Sequence, residues 1–464
     1  MRLIRSDRLR ARSVVYYTIS MRQYFSIPPF LRNRLCLAAL CTLIFFFCGC
    51  ALTKSFQTSP PSDHLETTTE SNRFTVAQNE DVIGRLAIIR LGKEDTLPDI
   101  ARHFSLGLNA INAANPKVDT WVPKAGERVL LPLSFILPDA PRKGIVINLA
   151  AMRLFQYNED GASMRVTTYP VGVGTFERPT PMGQMYVVRK AVRPSWFVPA
   201  TIAQDRRKKG DILPAIVPPG PENPLGEYAL YLSKWTYLIH GTNKPASIGL
   251  MATNGCLRLY PENVKTLFDE TPLKTPVLIV NQPYLVGQQN DVLYLEVHET
   301  TQKPDALESE KLYKKLKAIE DKNRFPLDWE KIKKVQTEAL GIPVPILELS
   351  QGSKIEAARP MEIKHPEILY GKPEIPALKP HGWYILAADV SDKIAARRIA
   401  AIINHQGPQI PARVFEKLDS YHVIAGPFDD GDEAKKAAKR LKIDLEIDGI
   451  IIEPVKNVLL DASK

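Results

Sequence analysis

Residues 238–260 read Leu-Ile-His-Gly-Thr-Asn-Lys-Pro-Ala-Ser-Ile-Gly-Leu-Met-Ala-Thr-Asn-Gly-Cys-Leu-Arg-Leu-Tyr. His240 closes an apolar run, a polar loop follows, and Cys256 comes 16 residues later. A Cys with a His in reach is the minimal kit for a thiolate nucleophile: the imidazole takes the thiol proton and the ion pair keeps the sulfur charged near neutral pH. Gly255 lets another backbone approach the sulfur closely, and the N–H groups of Gly255 and Cys256 are candidates to hold an oxyanion. Thr253 and Arg258 are the candidate substrate-binding residues. Arg258 fits a substrate carboxylate or, equally, a structural salt bridge. On spacing alone, a lone Cys also fits as a small buried hydrophobe.

The cysteine inventory bears on that choice. The chain holds five: Cys36, Cys41, Cys48, Cys50 and Cys256. Eight Arg and one Asp lie in residues 1–49, around an apolar run at 35–47 of signal-peptide length, too short for an ordinary spanning helix. Met21 is an alternative start. Cys48-Gly49-Cys50 at the end of the run resembles a bacterial lipobox with Cys50 as the acylated residue. Export and lipidation would leave Cys256 as the one free thiol, and an idle thiol in an oxidising compartment is a liability. This favours Cys256 as a nucleophile. The net charge of +10 falls to +3 once residues 1–49 are set aside, with no basic run interleaved with aromatics, so nucleic acid is not an expected partner.

The elements that must position these residues are short strands. Residues 144–160 alternate and turn at Asp160-Gly161. Further runs lie at 165–173, 184–189, 228–232, 257–259 and 277–280, separated by Pro, Gly and Asn. The expected fold class is multidomain α+β with a mostly β catalytic domain at 144–283. Residues 50–83 read as a lipidated disordered tether. Residues 84–135 read as a βααβ module, with Leu97, Ile100, Ala101 and Phe104 on one helical face, and His103 in a surface or packing role. Residues 284–341 read as a helical appendage with Asp328 as a cap, 342–380 as an extended Pro-rich linker, and 382–454 as a βαββαβ module with Asp432 capping its second helix. His298 has no evident partner.

Residues 144–283 resemble the YkuD-type L,D-transpeptidases, particularly the proteobacterial periplasmic group with an N-terminal LysM unit. The blocks are Thr180-Pro-Met-Gly183, Asn223-Pro-Leu-Gly226, Ile239-His-Gly-Thr-Asn243 and Gly255-Cys-Leu-Arg-Leu259. The small module resembles a LysM domain through Thr96-Leu97, Ala101, Asn112, Asn115-Pro116 and Gly126. The last resembles a SPOR domain through Gly426-Pro-Phe428. The resemblance implies Cys256 as nucleophile, His240 as base and the Gly241 carbonyl as its orienting group, with no metal or other cofactor. The family's second histidine, before Gly-Cys, is Asn254 here, which can donate a hydrogen bond near the oxyanion or hold the loop but cannot titrate. The implied reaction is acyl transfer from a peptidoglycan tetrapeptide stem to a stem amine or an outer-membrane lipoprotein. A hydrolytic L,D-carboxypeptidase and a catalytically weak wall-binding scaffold are the alternatives. Glycan strands are further expected partners, and the expected location is the periplasm, anchored by lipid to the outer membrane.

Overall fold

A computed structural model describes residues 72–454, apart from 78–79, 161–162, 300–305, 324–325, 349–358 and 418. The expected signal peptide and Cys50 lie outside the described residues, as does most of the expected tether.

The catalytic region is built on a nine-stranded sheet. Its order is Arg73–Val76, Ser163–Pro170, Arg153–Asp160, Gly144–Asn148, Pro276–Val280, Gly183–Val192, Tyr228–Leu232, Leu238–His240 and Leu257–Arg258. Successive side chains on a strand point to opposite faces, and the central strand shows the consequence. Ile145 and Ile147 join Leu154, Leu230, Ile239, Leu257 and Val264 in one core, whereas Val146 joins Phe155, Tyr157 and the N-terminal module in another. Contrary to the alternation expected from residue 144 onward, Gly-Ile-Val-Ile-Asn is continuously apolar at its centre, as a strand buried on both faces must be. Two pairings are parallel, Gly144–Asn148 with Pro276–Val280 and Leu238–His240 with Leu257–Arg258. The second sets the functional site.

In the N-terminal module, Ala87–Arg90 and Arg128–Leu131 pair antiparallel around the helices Leu97–His103 and Leu108–Ala114. Thr96 and Asp99 form a reciprocal capping box at the first helix, satisfying two backbone donors at once. The Pro-rich segment departs from expectation. It is extended but not a free spacer: Met361–Glu362 adds a parallel strand to the module's sheet, Leu369 enters its core, and His365 and Lys372 both meet Asp95, at 2.7 and 2.9 Å. His103 takes a packing role here, its Nδ1 accepting from the Tyr370 N–H at 2.8 Å.

The appendage is not purely helical. Tyr284–Gln289 and Val292–Val297 form a hairpin, joined by Val344–Pro345, and the helices Ala306–Asn323 and Trp329–Glu338 pack on it. Asn290 and Asp291 both adopt positive φ, as a tight two-residue hairpin turn requires, and that dipeptide was the overlooked signal. Asp328 caps the second helix by accepting from the Lys331 N–H. His298, unpartnered in the sequence reading, meets Glu296 at 2.7 Å.

The C-terminal module has the order Ala412–Lys417, Ser420–Phe428, Trp383–Val390, Ile450–Ile452, all antiparallel, with helices Lys393–Asn404 and Gly431–Leu445. The cap of its second helix is Asp430, accepting from the N–H groups of Asp432 and Glu433, rather than Asp432, which sits in the first turn.

Candidate active site

The parallel register Ile239↔Leu257 and His240↔Arg258 decides which side chains meet. Ile239 and Leu257 turn into the core, so His240 and Arg258 share the opposite face. Cys256, two residues before Arg258, lies on that face too. The adjoining strand Met251–Thr253 pairs parallel with Val173–Gly174, and the chain then turns through Gly255 at φ +102°. A Cβ on Gly255 would lie 2.7 Å from Tyr237 Cε1 and 3.2 Å from the Pro179 carbonyl, so both conformation and space demand glycine.

His240 is buried, and its Nδ1 lies 2.7 Å from the Gly241 carbonyl oxygen. A carbonyl can only accept, so Nδ1 carries the proton and Nε2 is the free base. The half-buried Cys256 donates its S–H toward the Thr236 carbonyl at 3.7 Å. Burial, and secondarily the Arg258 charge, push the imidazole down to about 3. Burial pushes the Cys256 thiol up, opposed by the Leu238 N–H and Arg258. Both directions run against the expected thiolate–imidazolium pair. They favour a neutral thiol and a neutral imidazole.

Arg258 completes the face. Its Nη1 lies 3.3 Å from Ser247 Oγ, its Nε is buried without a hydrogen-bond partner, and among the described residues no carboxylate pairs with it. Burial lowers its pKa, a cost that the nearby sulfur partly offsets. Of the two expectations for Arg258, a structural salt bridge is not what the fold supplies. Among the described residues, no group of three or more His, Cys, Asp or Glu is placed to hold a metal ion.

Residues 142–279 match the YkuD family, described as an L,D-transpeptidase catalytic domain, and residues 379–453 match the SPOR domain family. The probable L,D-transpeptidase ErfK/SrfK of Escherichia coli K12 is 39% identical over 222 residues, 47% of this chain and 71% of that protein. The probable L,D-transpeptidase YcfS of the same strain is 38% identical over 233 residues, 49% of this chain and 68% of that protein. The chain belongs to the YkuD L,D-transpeptidase family.

Three expected site residues of the transpeptidase take other places. Thr253 is buried, and its hydroxyl accepts from the Gly255 N–H at 3.1 Å while donating to the Cys256 carbonyl at 2.7 Å, so it shapes the nucleophile turn and is not exposed to substrate. The Gly255 N–H is consumed by that bond and is unavailable to an oxyanion, which leaves the Cys256 N–H as the candidate. Asn254 is exposed, and its Oδ1 accepts from Arg178, which also pairs with Asp205 on the helix Ala200–Lys208. Of its two expected roles, it holds the loop. Because that contact is exposed and Arg178 keeps Asp205, Asn254→Ala is expected to lower kcat/KM by at most about tenfold, ~1.4 kcal/mol in barrier. A loss beyond a hundredfold in steady-state assays would place Asn254 at the reacting atoms.

Asn223 is a residue whose role the sequence motif did not reveal. Fully buried, it donates to the carbonyls of Pro194, Val217 and Pro218 and accepts from the Leu225 N–H. It thereby ties both ends of the 194–226 excursion beside His240, whose ring also faces the Leu225 carbonyl. An Asn inside a Pro/Gly-rich loop carried the signal, since few side chains both donate and accept.

Proposed function

We propose that the transpeptidase cleaves peptidoglycan tetrapeptide stems between residues three and four and passes the acyl group to an amine, making a 3→3 cross-link or a lipoprotein attachment. The observation that carries this reading is the carboxylate-free Arg258 guanidinium on the face shared by Cys256 and His240. A stem ending in a carboxylate one residue beyond the scissile bond has the charge this guanidinium lacks.

The electrostatics supply the order of events. Arg258 is one of the two causes that depress His240. A substrate carboxylate bound to Arg258 cancels much of that field, so the proton affinity of Nε2 rises when substrate is in place. The thiol proton then passes to Nε2 as sulfur attacks the carbonyl, with the Cys256 N–H facing the developing oxyanion. The tetrahedral intermediate collapses, the C–N bond breaks, and His240 returns the proton to the departing D-Ala amine. The acceptor amine repeats the sequence in reverse, losing its proton to Nε2 as it attacks the thioester and displaces the sulfur.

The flanking modules fit delivery to the wall. The βααβ module at 84–135 is assigned to glycan strands by its LysM-like residues and the SPOR domain to the same polymer, with Cys50 as the lipid anchor that holds the enzyme in the periplasm at the outer membrane. Multiple acyl chains anchor stably where one binds marginally. Cys50→Ser is therefore expected to move the protein from the membrane to the soluble periplasmic fraction, and unchanged fractionation would count against lipidation. For the reaction itself, purified protein is incubated with sacculi and the muropeptides are analysed by mass. New 3→3 dimers or lipoprotein-linked stems are the expected products. Tripeptides alone would make water the acceptor, and an unchanged profile would leave the scaffold reading.

A further inference from the structure

The SPOR helix Gly431–Leu445 meets the catalytic domain through two ion pairs of Asp444 and through Lys439, whose Nζ lies 3.1 Å from Asp211. Asp444, near the end of the helix Gly431–Leu445, is only 13% exposed and receives two cations. Its Oδ2 lies 2.8 Å from Lys244 Nζ, and its Oδ1 lies 2.8 Å from Arg206 Nη1. Burial works against the charge on Asp444, but Lys244 and Arg206 together hold its carboxyl below the usual range.

Each cation belongs to a segment that leads to the nucleophile. Lys244 lies four residues after His240, its carbonyl accepts from Ser247 Oγ at 2.6 Å, and Ser247 Oγ accepts from Arg258. Arg206 lies on the helix Ala200–Lys208, where its neighbour Asp205 pairs with Arg178, the partner of Asn254. Two short chains of contacts thus run from Asp444 to the residues on either side of Gly255-Cys256. The helix Ala200–Lys208 buries none of its own residues. With Ile202 and Ala203 only half-buried, its placement leans on such ion pairs. A separate steric contact marks the same docking: a Cβ on Gly407 would lie 1.4 Å from the Asn243 carbonyl oxygen, so the SPOR loop rests directly on the segment that follows His240 and Gly241.

We propose that the SPOR domain is part of the transpeptidase's positioning machinery, with Asp444 as a positioning residue that fixes the two segments flanking the Cys256–His240 pair. The domain then does more than bring the enzyme to its polymer, since its docking holds Arg258 and the nucleophile turn in register. Asp444 touches no reacting atom. The inference rests on acyl transfer at Cys256.

Two variants in the full-length protein test it by different physics. Asp444→Asn removes the charge, and Gly407→Ala wedges the surfaces apart while leaving the SPOR core untouched. Both are expected to lower kcat by 10- to 100-fold, the scale of a small misplacement of reacting groups, with KM within about twofold. Both should also change the rate constant for iodoacetamide alkylation of Cys256 by threefold or more. Asp444→Glu should recover much of kcat, and Asp448→Asn, an exposed carboxylate that pairs with Lys442, should change neither readout. Wild-type kcat and alkylation in both Asp444→Asn and Gly407→Ala would overturn the proposal, as would a loss confined to a variant with a collapsed melting transition. Alkylation needs no wall substrate. Altered alkylation in both variants, with no transfer even by the native protein, would therefore remove the acyl-transfer reading and support the docking role.

Discussion

Cys256→Ala is expected to abolish acyl transfer and leave the fold in place. Cys256 is the free thiol among the described residues, and its sulfur donates weakly to the Thr236 carbonyl at 3.7 Å and faces the Leu238 N–H. Losing these weak sulfur contacts from a half-buried position costs within about 1 kcal/mol, because no cavity opens in the core. The chemical loss is of another order. Without sulfur there is no covalent intermediate, and removing a nucleophile from a site whose groups act together costs on the order of 10⁴-fold or more. Muropeptide analysis and a thermal melt on the same preparation separate the two effects. A variant that melts much earlier would make the sulfur structural, and one that retains transfer would require another nucleophile.

Much of the site's layout was legible in the sequence because it is local. Leu257-Arg258-Leu259 alternates in polarity, and that alternation alone places Arg258 opposite the core. The run Leu238-Ile239-His240 ends in a His, and in the structure that His closes its strand. What was not legible is how each polar group is spent. Thr253 read as substrate-binding, Asn254 as an oxyanion donor or loop support and the Gly255 N–H as an oxyanion donor, yet local hydrogen bonds spend Thr253 and the Gly255 N–H on the turn and a tertiary contact takes Asn254 to Arg178. The neutral resting pair also lay beyond the sequence, since the depth at which His240 sits depends on how the 194–226 excursion closes over it. The Pro-rich segment illustrates the same limit. Proline spacing encodes an extended backbone, whereas docking depends on Leu369 reaching a core that other parts of the chain create. The Asp444 contacts join residues about 200 positions apart, and no spacing rule links them.

His240→Ala is expected to lower kcat/KM by about 10²- to 10⁴-fold, the range for loss of a positioned general base. The pH dependence shows which state the site rests in. With the imidazole at about 3 and the thiol raised, the native protein holds a neutral pair across pH 5–8. Alkylation of Cys256 should then rise steadily with pH over that window, with no inflection near 6.5, and His240→Ala should keep that shape. An inflection present in the native protein and absent from the variant would restore the ion pair. Stability gives an independent check with a definite sign. His240 has a folded pKa below its unfolded 6.5, so between pH 6.5 and about 3 the unfolded chain binds the extra proton. The native protein therefore loses up to about 1.4 kcal/mol per pH unit from this group as pH falls through that window, and the contribution is whole only above it. Near pH 7 the variant should be the less stable, because the Gly241 carbonyl loses its donor at a cost of about 1–3 kcal/mol. As pH falls the gap should narrow, since the alanine side chain of the variant takes up no proton when the chain unfolds. Denaturant melts of both proteins at pH 7, 5 and 4 measure that gap, and a constant gap would mean that His240 is not held neutral.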